Sequence, residues 1–134
     1  MDSYLLLMER ANILLCEPSD FMRLWVKKAL EGSLFHLTAE ATSLQEAIKL
    51  IDFENNNGRK PDLVIVSDGL EPKNEAKGAK HLIEYLERTE STAKILGIYT
   101  LKKFREQRIK VTTDISRDEV VTNPTNLRNL ITEI

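Results

Sequence analysis

The sequence has little of what disulfide-bonded, zinc-binding and membrane proteins require. Its 134 residues include one cysteine and two histidines, which excludes an intramolecular disulfide, and no Cys and His spacing resembles a zinc site. The longest apolar run near the start, residues 5–8, is far shorter than a membrane span and has no basic flank before it. This pattern excludes a transmembrane helix and argues against a signal peptide. We therefore expect a cytoplasmic protein without membrane contacts.

The sequence also lacks an excess of charge of either sign. Lys and Arg number 19 against 21 Asp and Glu, for a net charge of -2, so no overall basic field draws the chain to nucleic acid. Hydrophobic residues at 42% and charged residues at 30% are typical of a folded globular domain. The length fits one domain. We predict a single domain over residues 11–134 after an N-terminal extension, residues 1–10, and no nucleic-acid binding.

Short apolar runs alternate with helical patterns along the chain. The predicted strands are residues 13–16, 35–41, 63–66, 95–99 and 120–121. The third run is apolar on both faces, as in a central strand, whereas the second alternates, with Phe35, Leu37, Ala39 and Ala41 on one side, as in an edge strand. Ser19 and Ser43 are predicted helix N-caps. Residues 101–117 show weak helical periodicity and would supply the fourth of five helices.

Five strands alternating with five helices predict a parallel sheet with right-handed crossovers. At this length, the class is α/β, a three-layer, doubly wound, five-stranded sheet of order 2-1-3-4-5. Ligands of such sheets bind at the carboxyl ends of the strands. The residues at those predicted ends are Glu17, Pro18, Ser67, Asp68, Thr100 and Asn123.

These strand ends, read with segments 13–23, 61–68 and 123–124, resemble the receiver domain of bacterial two-component response regulators, a flavodoxin-like fold. The resemblance covers residues 11–134. It implies an acidic pair after strand one, a phosphoacceptor aspartate after strand three, a Thr or Ser after strand four and a Lys-Pro after strand five. The implied chemistry is Mg²⁺-assisted phosphoryl transfer from a histidine kinase to the aspartate.

The sequence departs from that pattern at each element of the chemistry. Pro18 follows Glu17 in the acidic pair and offers no side-chain ligand to Mg²⁺. Asn123 stands where the resemblance implies a lysine, and it cannot supply a point charge. Leu101 follows Thr100 where a small residue is usual, so we expect it to crowd the pocket. Val120 takes the position of a switch aromatic.

The phosphoacceptor position has two readings. Counting forward from Pro61 and Asp62 places Ser67 in it, whereas counting back from Pro72 places Asp68 there. A shift of one residue turns a strand side chain to the opposite face, so only one of the two can point into the pocket unless a bulge intervenes. The sequence leaves this choice open.

Three functions follow from these observations. The first is a degenerate receiver, or pseudo-receiver, that is not an enzyme, needs no cofactor and signals through protein contacts. The second is an active phosphoacceptor using Asp68, with a weak Mg²⁺ site formed by Glu17 and Asp68. The third, a flavodoxin-like small-molecule binder, is disfavoured because no glycine-rich phosphate loop follows strand one.

One basic cluster suggests a partner surface in the segment that resembles helix four. Its members are Lys102, Lys103, Arg105, Arg108 and Lys110, and a solvated face would explain them equally well. The partners implied are signalling proteins, such as a histidine kinase or an output domain. The sequence leaves three questions open: which protein is the partner, whether the chain forms a homodimer, and whether it is part of a longer protein.

Overall fold

The computed structural model describes residues 12–33, 35–71 and 76–134. Five parallel strands form one sheet in the order β2-β1-β3-β4-β5. They are β1 (Asn12–Cys16), β2 (His36–Ala41), β3 (Leu63–Ser67), β4 (Lys94–Tyr99) and β5 (Thr113–Ser116). The predicted fold class and strand order are confirmed. The predicted N-terminal extension lies outside the described residues.

Helices cover both faces of the sheet. They are α1 (Asp20–Leu30), α2 (Leu44–Asn56), α3 (Lys77–Arg88), α4 (Arg117–Thr122) and α5 (Pro124–Glu133). The predicted caps are confirmed: Ser19 Oγ accepts a hydrogen bond from the Met22 amide at 3.2 Å, and Ser43 Oγ accepts one from the Glu46 amide at 3.1 Å. In the described part of the chain, every helix is too short or too polar to cross a membrane.

Two apolar clusters hold the layers together, one on each face of the sheet. On one face, α1, α4 and α5 pack on Ile13, Leu15 and Ile65. On the other, α2 and α3 pack on Leu14, Val64 and Val66. Every residue of β3 is buried, as expected for a central strand with helices on both sides.

A bulge in β2 overturns one prediction about its side chains. The pairing runs Ile13 with Leu37 and then Leu14 with Ala39, which leaves Thr38 as an extra residue. Leu37 therefore packs with the α1 face and Ala39 with the α2 face, so the prediction that they share a side is wrong. An extra residue reverses the alternation of a strand, and the Thr38 hydroxyl donates to the Ile13 carbonyl at 3.2 Å.

The predicted fifth strand is also wrong. Val120 and Val121 lie in α4, and β5 comes earlier in the chain. The cause is a helix start at Ser116, whose Oγ accepts a hydrogen bond from the Glu119 amide at 3.1 Å, as in a capping box. The carboxyl end of β5 is therefore followed by Arg117, and Asn123 lies between two helices.

The segment between β4 and β5 forms no α-helix. It contains one 3₁₀ turn, Arg105–Gln107, so the helix predicted within residues 101–117 is wrong there. Phe104 is fully buried and anchors the segment to the sheet. Its amide donates a hydrogen bond to Asp114 Oδ2 on β5 at 3.0 Å. This bond ties the segment to the edge strand as well.

Candidate functional site

Polar side chains from four strand ends meet at the carboxyl edge of the sheet. They are Glu17 after β1, Ser67 and Asp68 at the end of β3, Thr100 after β4 and Arg117 after β5. Four of these five were predicted from the sequence. Arg117 was not, and Asn123, which was predicted, is absent from the group.

Glu17 is the buried acid of this group, with 1% of its surface exposed. Its Oε2 atom accepts a hydrogen bond from the Ser19 amide at 3.1 Å, while Oε1 has no hydrogen-bond partner among the described residues. Burial raises the pKa of this carboxyl above its ordinary value of 4.5, and the nearby Asp68 charge adds to the rise. The Ser19 amide, the Ser67 hydroxyl and the Arg117 cation oppose that rise without cancelling it.

Ser67 and Asp68 direct their side chains to different neighbours. Ser67 is the last residue of β3, is 4% exposed, and lies beside Glu17. Asp68 follows the strand, and its carboxylate accepts two hydrogen bonds from Thr100, at 2.8 Å from the amide and 2.9 Å from the hydroxyl. Successive residues of a strand face opposite sides, so Ser67 faces Glu17 and Asp68 is held by the β4 end. Pro72, from which Asp68 was counted, lies outside the described residues.

Leu101 does not crowd the site. Its side chain is 90% exposed and stands at the rim of an open cavity of about 320 Å³ that Asp68, Gly69 and Thr100 also line. Because Leu101 is exposed at this rim, the expectation that it crowds the pocket is wrong.

Arg117 brings a cation to the end of β5, and its charge favours the ionised form of Glu17. The sequence carries a signal for this placement, because Ser116 and Glu119 have the spacing of a capping box. Asn123 instead donates its amide to the Glu119 carbonyl at 2.8 Å, between α4 and α5. The predicted roles of Asn123 and Val120 at the strand end are wrong, because both depended on a strand at residues 120–121.

The donor atoms at this edge do not fit Mg²⁺. Mg²⁺ requires near-octahedral oxygen geometry, usually with one or two carboxylates. Glu17 offers one open oxygen, Pro18 offers none, and both oxygens of Asp68 accept hydrogen bonds from Thr100. Within residues 12–33, 35–71 and 76–134, no three His, Cys, Asp or Glu side chains are grouped to hold a metal ion.

The predicted basic cluster forms an exposed loop, which we call the basic loop, residues 102–110. Its five cations are all exposed, and in the described part of the chain none of them forms an ion pair. The loop lines a cavity of about 550 Å³ together with the edge of β5. The predicted surface is thus accessible, although it lies on a loop rather than on a helix.

Comparison with known proteins places the fold. No family model and no curated protein matches the chain. Among solved structures, the signal receiver domain of NarL from Mycobacterium tuberculosis is 15% identical, with a TM-score of 0.70 over 92% of this chain and 94% of that one. The chain has the receiver-domain fold.

Two further receiver-fold structures differ in context. A mutant of the receiver domain of the histidine kinase CKI1 from Arabidopsis thaliana is 12% identical, with a TM-score of 0.68 over 92% of this chain and 88% of that one. A chain in the complex of the CheA3 P1 domain with CheY6 from R. sphaeroides is 17% identical, with a TM-score of 0.63 over 91% and 95%. At these identities the likeness concerns the fold, so the chemistry has to be argued from the residues.

Proposed function

We propose that this chain is a receiver-like signalling domain that acts through protein–protein contacts and is not switched by aspartyl phosphorylation. One observation carries the proposal. A buried serine, Ser67, ends β3 beside Glu17, and it takes one of the two positions that the family resemblance allows for the phosphoacceptor aspartate. That chemistry transfers the phosphoryl group to an aspartate carboxylate, and serine has a hydroxyl group instead.

The surrounding residues support the same conclusion. Asp68, the nearest carboxylate to that position in the chain, has both oxygens engaged by Thr100. The residue after Glu17 in the chain, Pro18, offers no second carboxylate. Arg117 supplies a cation, but its charge acts on the buried carboxyl of Glu17. Each partner in the implied phosphoryl transfer is therefore replaced or occupied.

An active phosphoacceptor is the alternative, and one feature favours it. Asp68 lies beside the Thr100 hydroxyl at the edge of an open cavity, which a small phosphodonor could enter. Phosphorylation there would require Asp68 to give up its hydrogen bonds to Thr100 and a metal site to assemble around Glu17. The alternative thus needs two rearrangements.

Incubation with acetyl phosphate and Mg²⁺, followed by intact mass spectrometry, separates the two functions. We expect no phosphoryl adduct on the native chain. The matched control is Asp68→Asn, which keeps the size and removes the carboxylate. An adduct on the native chain that is absent from Asp68→Asn would contradict the proposal and establish the alternative.

If phosphorylation is not the input, binding has to carry the signal. We propose signalling proteins as partners, either a histidine kinase or an output domain, and the cytoplasm as the compartment. The basic loop is the contact surface we favour, because its cations are exposed and have no acidic partner in the described part of the chain. The complex of the CheA3 P1 domain with CheY6, one chain of which is similar to this one, is an example of such a fold bound to another protein.

A further inference from the structure

The two edges of the sheet differ in how readily they could pair with another chain. At one edge, β2 is bulged at Thr38, and its Glu40 pairs with Lys27 at 2.8 Å. Bulges and charged side chains are the devices that protect sheet edges from further pairing. At the other edge, β5 pairs with β4 in unbroken register from Thr113 to Ser116.

The hydrogen bonds of β4 show which backbone groups of β5 are left open. The Lys94 amide donates to the Asp62 carbonyl at 2.9 Å, and the Ile98 carbonyl accepts from the Asp68 amide at 3.0 Å, so both residues bond toward β3. Backbone groups alternate between the two neighbours of a parallel strand, and Gly97 therefore bonds toward β5.

Gly97 lies opposite Asp114 in the register. In a parallel pair the hydrogen bonds of one residue go to the two residues that flank its partner. The Gly97 bonds thus go to Thr113 and Ile115, and the amide and carbonyl of Asp114 point away from β4. Neither group has a hydrogen-bond partner within the described residues.

A cavity of about 550 Å³ opens at this edge, between β5 and the basic loop. It is lined by residues 112–114 at the strand edge, by Ile109 and Val111, by four of the loop's cations and by Glu106. The basic loop holds five cations and one acid, Glu106, in nine residues. The site thus offers backbone pairing, apolar contacts and positive charge together.

We propose that this cavity binds an extended acidic segment of a partner protein, which adds a strand beside Asp114 and places its carboxylates against the basic loop. The inference deepens the proposed function, on which it rests, by stating the chemistry of the partner. In strand addition, main-chain hydrogen bonds supply affinity and the side chains supply specificity. Opposite charges across the contact speed association and exclude wrong partners.

Nucleic acid fits this surface less well, although it is also an anion. The only aromatic residue of the loop, Phe104, is fully buried, so no ring is available for base stacking. The loop's regular structure is one 3₁₀ turn of three residues, whereas major-groove reading uses a helix or a two-stranded ribbon. The whole chain is also net negative, which repels a polyanion beyond the loop.

Fluorescence polarisation with a labelled peptide that alternates glutamate and valine tests the proposal at physiological ionic strength. Saturable binding is expected, and the double variant Lys103→Glu, Arg105→Glu should weaken it on the order of tenfold or more. The matched control is Lys49→Glu with Lys60→Glu, which makes the same change in net charge at exposed positions outside the loop. Circular dichroism confirms that both double variants fold.

Strand addition is tested on the ligand, so that no backbone change is made in the protein. A peptide of the same sequence with N-methyl groups along one edge keeps its charge and loses the pairing donors, so it should bind much more weakly. Hydrogen exchange should slow at the Asp114 amide when the unmodified peptide is bound.

Several results would overturn the inference: no saturable binding, equal binding of the methylated peptide, an equal loss in the control variant, or tighter binding of a DNA oligonucleotide than of the peptide. The titration contains no phosphodonor. Its failure would therefore leave the acetyl phosphate experiment, and the proposed function that it tests, unaffected.

Discussion

The ring of Phe104 lies 3.0 Å from the point where a Cβ atom on Gly97 would stand. This separation is tighter than ordinary van der Waals contact, so the glycine on β4 makes the room that the ring fills. Because Phe104 is the buried anchor of the basic loop, a residue without a side chain in the sheet determines where a charged surface loop sits.

We therefore expect Gly97→Ala to destabilise the protein by about 1–3 kcal/mol, the usual cost of overpacking a core. Urea denaturation measures the change. Gly69→Ala is the matched control, because a Cβ there meets Ser67 Oγ at an ordinary 3.5 Å and should cost little. Equal stabilities of Gly97→Ala and Gly69→Ala would show that the Phe104 ring moves aside freely.

The buried carboxyl of Glu17 predicts a specific dependence of stability on pH. Burial, the largest cause, raises the pKa in the folded state above the ordinary value of 4.5, so the folded chain holds a proton that the unfolded chain releases. The free energy of unfolding should consequently fall as pH rises from about 4.5 to the folded pKa, and then level off. Glu17→Gln cannot ionise and should lose this fall.

The measurement is the free energy of unfolding of both proteins across that pH range. The difference, Glu17→Gln minus native, should become more favourable to the variant as pH increases. Glu106→Gln, at an exposed position, controls for the loss of one negative charge. Parallel curves for native protein and Glu17→Gln would mean that Glu17 titrates alike in the folded and unfolded chains.

The sequence predicts strands one, three and four because each is an apolar run that the sheet buries, and it predicts strand two from the alternation of apolar and polar residues. Residues 63–66, for example, are apolar throughout, and all of β3 is buried. The fifth strand has only Ile115 fully buried, so the apolar pair Val120 and Val121 gave a stronger and misleading signal. In the structure the pair belongs to a helix, with Val120 buried and Val121 half-buried in the cluster that α1 and α5 share, and only the Ser116 and Glu119 cap spacing distinguishes the two outcomes.

Other features of the site depend on contacts that no pattern encodes. Whether Ser67 or Asp68 faces Glu17 is decided by where β3 ends, and Thr100, more than thirty residues away, holds the Asp68 carboxylate. The bulge at Thr38 similarly follows from pairing with β1. Residue types at strand ends are thus readable from the sequence, whereas their mutual orientation requires the assembled sheet.

We expect no tight Mg²⁺ binding at neutral pH, because Glu17 contributes one open carboxylate oxygen and Pro18 contributes none. Isothermal titration calorimetry with MgCl₂ measures this directly. Ser67→Asp places a second carboxylate beside Glu17 and should bind Mg²⁺ more tightly than the native chain does. Micromolar affinity of the native protein would show that the ligand count is incomplete.

The charges of the basic loop should affect partner binding, whereas its buried anchor, Phe104, should affect stability. Lys102, Lys103 and Arg105 are exposed and form no ion pair in the described part of the chain. Reversing all three to Glu should therefore change the free energy of unfolding by less than about 0.5 kcal/mol per site. The same triple variant should weaken the complex with the signalling partner, because exposed charges steer association strongly.

Phe104→Ala is the complementary variant, since it keeps every charge of the loop and removes the buried ring. It should cost about 3–5 kcal/mol, the range for emptying an aromatic site in a core. Urea denaturation of both variants gives the comparison, and the midpoint of the triple variant should lie close to the native one while Phe104→Ala unfolds at a much lower urea concentration. A large loss of stability in the triple variant would mean that the loop cations support the fold. Unchanged partner affinity in a triple variant that still folds would exclude the basic loop as the contact surface.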